Sequence, residues 1–568
     1  MGEQYVLERP AGKREACMPA IIAGIVFVIA LIPRLLGLGT FLSPDESLWF
    51  GRSIAFWDAL QSGQPAQTYQ QVHPNVTTMW ITGFILKLAG RMGLSLADPH
   101  WIPIARLSIV LVTSSSCAAI ALALSRLLDR TTGLVAGLLL ALDPFYLAHS
   151  RTLHMHSASA GYITLAWVTL LLACRHRSMR RIVLAGAIAG WALITNVNAV
   201  ILLPMAGLVL IFPPHLIRRL SSWRHIPDGV HPRLGSLLLW GIVACATAFA
   251  LWPALWVQPV RTLGFVATGA RWGAEVPHGG DPGMAIDALY ESNPRAIEVV
   301  NAYRQAGIFS RPRSYFMGRV VWTPGLLFYP LIWLYRSTPL TLLCVLLALA
   351  TLGSRILRRS LTERDLVAAF ILLLAVGMMT MLAVSSKQFQ RYLQPVFLLL
   401  DILAAIYFID GLRRLFRARG PRRGEIMTTL SAVTLLIGLH WLPYVHTHPY
   451  EIAYYQPLLG GHRMAQHIFQ LGFGEGLDQV AAYLNDRYDG RPTVASRYAQ
   501  YLAPFYSGET IELTHGDRYE DIQSDYIAVY ITELQRKESP ELDTLLAGRE
   551  PEHVVTVNGI EYVWLYRR

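Results

Sequence analysis

MPAIIAGIVFVIALIPRLLGLGTFLSPDE, residues 18–46, opens on an unbroken apolar run and closes on two adjacent carboxylates. About 20 apolar residues in a helix cross the hydrocarbon core of a bilayer, so 18–38 reads as a first span. Lys13 and Arg14 precede it and no small-residue cleavage signal follows. Residues 1–17 are therefore expected to be a cytoplasmic N-terminus leading into an uncleaved helix. Ser43-Pro44-Asp45-Glu46 then emerges on the far side of the membrane.

The rest of the chain repeats the pattern. Of its 568 residues 53% are hydrophobic and only 15% charged, with a mean hydropathy of +0.37; a soluble chain carries about 25% charged residues. Further apolar runs lie at 103–124, 132–149, 156–174, 181–196, 198–213, 235–256, 338–353, 366–384, 393–410 and 427–444. Two more stretches, 75–90 and about 320–335, are short and rich in Trp, Tyr, Thr or Pro. Charge decides how these two are read. The basic loops are Arg126/Arg130, Arg175/Arg177/Arg180/Arg181, Arg218/Arg219/Arg224, Arg355/Arg358/Arg359 and Arg413 to Arg423. They fall together on the cytoplasmic side only if neither short stretch crosses. Eleven spans follow, with two membrane-surface helices in the outside loops.

The net charge of +11 comes largely from those orienting tracts, so no nucleic-acid partner is expected. The five cysteines lie within or beside apolar runs, and the polar tail has none. Neither a disulfide framework nor a paired-cysteine zinc site is read.

The expected fold is mainly α: a polytopic membrane domain over 18–445, with outside loops 40–102 and 257–337, and an extracytoplasmic domain over 446–568. In that tail Gly476–Tyr488 carries Leu477, Val480, Ala481 and Leu484 on one helix face. Asp525–Thr532 and Gly559–Tyr566 read as strands, giving a small α/β unit.

The polar residues that need explaining gather in the outside loops, where function concentrates. Asp45 and Glu46 can take a proton from a hydroxyl or hold a divalent ion; equally, Ser43 and Pro44 can start a helix whose dipole the two acids complement. His73-Pro74-Asn75-Val76-Thr77 offers a histidine beside that pair, a helix start, and a glycosylation-acceptor pattern. The corner at 149–156 holds His149, Arg151, His154 and His156, costly at an interface without partners. Phosphate or substrate contact is the favoured reading there. A shared metal would need an extended corner, because His154 and His156 would not share a helix face. Lys387 and Arg391 lie outside against the charge trend, four apart and next to Tyr392. On a helix they would form one cationic face suited to a phosphate.

Taken in order, Arg34, Ser43-Pro44-Asp45-Glu46, His73-Pro74, Arg106, Asp143-Pro144, Ser150-Arg151, Tyr329-Pro330, Thr338-Pro339 and Arg391-Tyr392 with Pro395 resemble a known group. These are the lipid-carrier-dependent membrane glycosyltransferases of the GT-C fold, protein O-mannosyltransferase and aminoarabinose-transferase-like (glycosyltransferase family 39 type). The resemblance covers about residues 20–460. It implies a polyprenyl-phosphate sugar as donor, taken at the outer face, and a protein, lipid or glycan acceptor. It also implies Asp45 as base with Glu46 as its acidic neighbour, Arg391 on the donor phosphate, and an inverting transfer of a hexose or pentose. A divalent metal ion, if used, would fall to Asp45 and Glu46. His156 departs from the pattern, since relatives carry an acid there. This chain has no Trp-Trp-Asp-Tyr-Gly sequence, which argues against the oligosaccharyltransferases of the same fold. The tail run Tyr454-Tyr455-Gln456-Pro457 to Gly472-Phe473-Gly474-Glu475-Gly476 resembles tails of prokaryotic members, with no role attached. The competing reading is a transporter or flippase of lipid-linked precursors. It predicts matched halves and mid-membrane charges, whereas here the halves do not match and the charges read at one interface.

Overall fold

The computed structural model describes residues 13–71, 73–211, 230–275, 314–385, 387–514 and 517–568. The leader before residue 13, the Arg218/Arg219/Arg224 loop and residues 276–313 of the 257–337 loop lie outside the described residues.

All eleven apolar runs coincide with helices. Among the described residues eight are long and apolar enough to cross a membrane: Cys17–Leu35, Trp101–Leu127, Met155–His176, Leu234–Leu251, Pro339–Leu357, Glu363–Ala383, Gln390–Leu415 and Pro421–Thr447. Arg130–Leu142 and Val197–Ile211 are shorter apolar helices, and Met179–Thr195 completes the set. The chain is a multi-pass membrane protein. Their hydrophobic faces meet in one large core that includes Val26, Ile120, Trp167, Leu374 and Ile402. Outward-facing Ile21, Leu238, Leu346 and Leu430 stay exposed, as lipid contact requires.

Two expectations are corrected. The run 132–149 is not one helix. Asp143 ends Arg130–Leu142 and caps Pro144–His149, its Oδ1 accepting the Tyr146 N–H at 2.7 Å, because Pro144 cannot continue the ladder. The stretch at about 320–335 is helical over its second half only, Phe328–Arg336; its start lies on a hairpin of β1 (Ser314–Phe316) against β2 (Arg319–Val321). The 75–90 stretch is a helix, Val76–Arg91, packed with Glu46–Gln61 around Phe56, Trp80 and Trp101.

Ionisable groups are not confined to one interface either. Arg34 is fully buried and donates to the Ala30 and Ala141 carbonyls, which its helix end and the Asp143 break expose. Asp401 accepts from Thr341 at 3.2 Å, and Thr338 meets His440 at 3.0 Å.

At one end, three of the basic loops converge. Asp129 accepts from Arg364 and Arg413, and Glu425 accepts from Arg413 and Thr131. Loops around 129, 364 and 413–425 thus share a face, as the charge count requires. At the opposite end lie Asp45, the 149–156 corner, Arg391 and the tail.

The tail is anchored there by the Tyr454-Tyr455-Gln456 run. Arg336 donates to the Tyr454 carbonyl, the Tyr455 hydroxyl and Gln390 Oε1, and stacks 3.8 Å over the Tyr455 ring. Gln456 bonds the Tyr335 and Leu334 carbonyls. Beyond it, the helix Leu477–Arg487 packs on a five-stranded sheet. In it β3 (Val494–Ser496) runs parallel to β4 (Thr510–Glu512) and β5 (Tyr526–Tyr530), while β7 (Ile560–Arg567) is antiparallel to β5 and β6 (His553–Val557). The α/β unit read from the tail is present.

Candidate active site

The first loop is held by buried arginines. Arg106 donates to the Leu38, Thr40 and Phe41 carbonyls at 2.8, 3.0 and 2.7 Å. It also forks onto the Glu46 carboxylate through Nε (2.9 Å) and Nη2. Glu46, fully buried, further accepts the Ser43 N–H at 2.9 Å and the Leu153 N–H. With both oxygens taken, Glu46 ties the first loop to Trp101–Leu127 and to the 149–156 corner. It presents no free oxygen to a substrate or ion, which corrects its expected place in the chemistry.

Asp45 is turned the other way. It is the N-cap of Glu46–Gln61, in the left-handed conformation (φ 71°), and makes no capping bond. Ser43, expected to cap, instead leaves its hydroxyl without a partner among the described residues. Left-handed backbone costs about 1–2 kcal/mol outside glycine, and such strain tends to collect at functional sites. Here it puts the Asp45 carboxylate 3.5 Å from His154 Nε2 and 3.6 Å from Arg391 Nη2, with 42% of the side chain exposed. Burial by itself would raise the Asp45 carboxyl. The close contact with His154 and the charges of Arg391 and Lys387 outweigh it and hold the group well below the usual carboxylate range.

Asn75 repeats the device at the start of Val76–Arg91, with φ 44° and a buried amide that bonds to no described residue. It is 0% exposed and Thr77 is bonded to Thr195, so the glycosylation-acceptor reading is overturned for the folded chain. His73 lies beside Asp45 in the field of Lys387 and Arg52. Burial first, then those cations, push it down to about 3. It is a neutral imidazole at pH 7.

The corner is extended where a helix would have separated its rings. His154 adopts φ −145°, ψ 148° as the N-cap of Met155–His176. Its ring stacks on His156 at 4.5 Å, and His156 in turn packs 4.7 Å from Tyr392 and accepts from the Asn196 amide. Burial holds His154 below its ordinary value, against the pull of Asp45. Arg151, expected on substrate, is instead paired with Glu451 and donates to the Leu36, Gly37 and Pro449 carbonyls. It fastens the tail to the end of the first span.

Lys387 and Arg391 do not share a helix face. Residues 387–389 are non-helical and Arg391 sits on a short 3₁₀ turn, Gln390–Leu393. Both nevertheless reach the field of Asp45. The Arg391 guanidinium lies over Phe389 (4.4 Å), Phe473 (5.6 Å) and Tyr392 (5.7 Å), a cage that orients it at low entropy.

Three neighbours were not singled out from the sequence as site residues: Phe389, and from the tail Phe473 and Tyr501. Tyr501 packs on the first-loop cluster of Leu42 and Trp49 and feels both Asp45 and Arg391. The Gly472–Gly476 run was the one available signal for the tail's part.

The residues around Asp45 do not make a metal cradle. Glu46 is consumed by Arg106, and among the described residues no three His, Cys, Asp or Glu side chains are grouped to hold an ion.

Residues 73–247 match the family described as dolichyl-phosphate-mannose-protein mannosyltransferase, under half of the chain. No curated protein matches the sequence. The structure aligns with ArnT from Cupriavidus metallidurans bound to undecaprenyl phosphate, at 13% identity over 98% of both chains and a TM-score of 0.48. It also aligns with the oligosaccharyltransferase of Archaeoglobus fulgidus, at 12% identity over 92% of this chain and 70% of that one, with a TM-score of 0.48. Over residues 73–247 the resemblance to lipid-carrier-dependent membrane glycosyltransferases drawn from the sequence is borne out.

Proposed function

We propose that the chain transfers a sugar from a polyprenyl-phosphate carrier to an acceptor hydroxyl, at the outer face of the membrane. The observation that carries this is the Asp45–Arg391 pair: an ionised, partly exposed carboxylate touching an aromatic-caged cation at a membrane interface. The donor in the matched family's description, a dolichyl-phosphate sugar, supports the same chemistry.

In this reading Arg391, helped by Lys387, takes the carrier phosphate. Its charge is then shared with the phosphate, so Asp45 loses part of the field that holds its carboxyl low and becomes a stronger base. The acceptor oxygen attacks the anomeric carbon as its proton passes to Asp45. The carbon–oxygen bond to phosphate breaks, and the leaving carrier phosphate stays neutralised by Arg391. A single displacement inverts the anomeric centre. Neutral His73 and His154 offer hydrogen bonds without competing charge. Glu46, Arg106 and Arg151 keep Asp45 in place.

The transporter reading gains the buried Asp143 and Asp401, but Asp143 is engaged in capping a helix break and Arg34 in satisfying exposed carbonyls. The test is transfer of label from dolichyl-phosphate mannose to membrane extract by the purified chain. Asp45→Asn should abolish transfer while the variant stays folded and still binds carrier. Full activity in Asp45→Asn would remove the assignment.

A further inference from the structure

Behind Asp45 the site has a wall that the mechanism above does not use. The helix Met179–Thr195 ends at Asn196, whose extended backbone (φ −151°, ψ 133°) opens the 3₁₀ turn Val197–Ile201. This turn touches two parts of the site. The Thr195 carbonyl accepts the Asn75 N–H at 3.1 Å, and the Thr195 hydroxyl meets that of Thr77 at 2.7 Å. Asn196, 5% exposed, reaches the other way, to His156 Nδ1 at 3.1 Å.

Which end of the Asn196 amide faces His156 is fixed by the backbone. Asn196 Oδ1 accepts the Asn198 N–H at 3.0 Å, and a peptide N–H can only donate. The end toward the ring is therefore the Nδ2 amine, which also only donates. His156 Nδ1 must accept, so the ring carries a single proton, on Nε2. An imidazolium does not fit this bond, because both of its nitrogens donate.

The ring so fixed is stacked on its neighbour. His156 lies 4.5 Å from His154 with the two planes 16° apart, and Tyr392 packs on His156 at 4.7 Å. Trp49 meets His154 edge-on at 6.4 Å. Neither ring nitrogen of His154 is hydrogen-bonded among the described residues. Packing, not bonding, thus holds His154 with Nε2 3.5 Å from Asp45.

Resting on the transferase reading, we propose that Asn196 is a positioning residue. It holds His156 uncharged in one tautomer, and the stacked His156 ring aims His154 at the Asp45 carboxylate. Charge is what makes this line matter. His156 stands among His154, His73, His149 and Arg391, and a cation in its place would add to the field of Arg391 and Lys387 on Asp45. That would weaken Asp45 as a base. A neutral ring keeps the shape of the wall and leaves the positive charge to Arg391 and Lys387.

The test follows transfer from dolichyl-phosphate mannose by the full chain in lipid nanodiscs, with kcat and KM measured from pH 5 to 8. Asn196→Asp keeps the oxygen that Asn198 needs but turns the other end into an acceptor. The bond to His156 is then reversed and a protonated ring is favoured. Its kcat should fall about tenfold at the acid end and recover toward pH 8, with KM for the donor unchanged. In a His156→Phe background the aspartate should add no acid limb, because it acts through the imidazole. Asn196→Ser gives up the bond to His156 without adding charge, and should lower kcat at every pH while leaving KM alone. Binding of dolichyl phosphate reports that each variant folds; if Asn196→Asp does not, Asn196→Ser decides alone. No acid limb in Asn196→Asp, a limb that survives His156→Phe, or an unchanged kcat in Asn196→Ser overturns this inference and leaves the transferase reading standing. A wild-type chain that transfers nothing removes both.

Discussion

Asp45 and Arg391, far apart in the sequence, lie 3.6 Å from each other, and Arg391 is the cation that most strongly keeps the Asp45 carboxyl ionised. The relation has a kinetic signature. In the free chain the carboxyl lies below the usual range, so kcat/KM should show no acid limb between pH 5 and 8. Arg391→Gln removes the cation, and the Asp45 value must rise. Transfer should fall about 10²–10³-fold with loss of the phosphate contact, and the residual activity should acquire an acid limb at higher pH than wild type. A pH–rate series for both proteins checks this; an unmoved limb would separate Arg391 from Asp45.

Glu46 and Arg106 should behave as structure. Removing one partner of a buried, bidentate pair strands the other charge, at about 3–5 kcal/mol. Arg106→Ala is therefore expected to lower thermal stability sharply, and Glu46→Gln to do so less, since an amide oxygen still accepts two of the four bonds. An Arg106→Met, Glu46→Gln double variant should recover part of the loss. If Glu46→Gln proved fully stable yet inactive, Glu46 would return to the chemistry.

Much of this arrangement was legible along the chain. Apolar length and Arg placement yield the helices and the shared faces, because burial and charge orientation act locally. Asp45, His73, His154 and Arg391 read as one interface for the same reason. The roles of Glu46 and Arg151 were not legible. Which way two adjacent acids point depends on one left-handed residue, and the partner of Arg151 is Glu451, in the tail. The contribution of Phe473 and Tyr501 needs the docked tail, which no periodicity announces.

The tail should also mark stability with pH. Glu475 and Glu533 are both pushed up to about 7 by burial, from 4.5 when exposed. The folded chain then holds protons that the unfolded chain has released. Stability falls as pH rises from about 4.5 to about 7 and levels off above, by about 3 kcal/mol for each group. Asp45, Glu46 and Asp129, shifted downward, titrate below that window. His73 and His154, pushed down by burial, gain stability over part of the same range. The check is therefore a difference: relative to Glu475→Gln, wild type should lose melting temperature between pH 5 and 8.

Sidedness follows from the two ends of the bundle. Ala482 is exposed in the tail, and Ser360 is exposed near the Asp129–Arg413 network. In a cysteine-free background, Ala482→Cys should react with an impermeant maleimide on intact cells, and Ser360→Cys only after the membrane is opened. The reverse labelling would invert the topology and place Asp45 on the cytoplasmic face.

Gly474 is where the tail touches the Asp45 loop. Its φ is 98°, and an added Cβ would lie 1.9 Å from the Leu42 carbonyl oxygen, three residues before Asp45. Its N–H is fixed by the Tyr530 hydroxyl at 2.9 Å, at the end of β5, so Gly474 cannot shift without its own sheet. Gly474→Ala must therefore displace residues 42–43, and with them the left-handed turn that aims Asp45. Gly476 supplies the control: its φ is 92°, but a Cβ there meets only valine methyls at 3.3 Å or more. Both variants pay the backbone cost of about 1–2 kcal/mol. Only Gly474→Ala should lose transfer per folded molecule, since a displacement near 1 Å at a reacting group can cost about 10²-fold. Equal activity in the two variants would show that the tail and the Asp45 loop are not mechanically coupled.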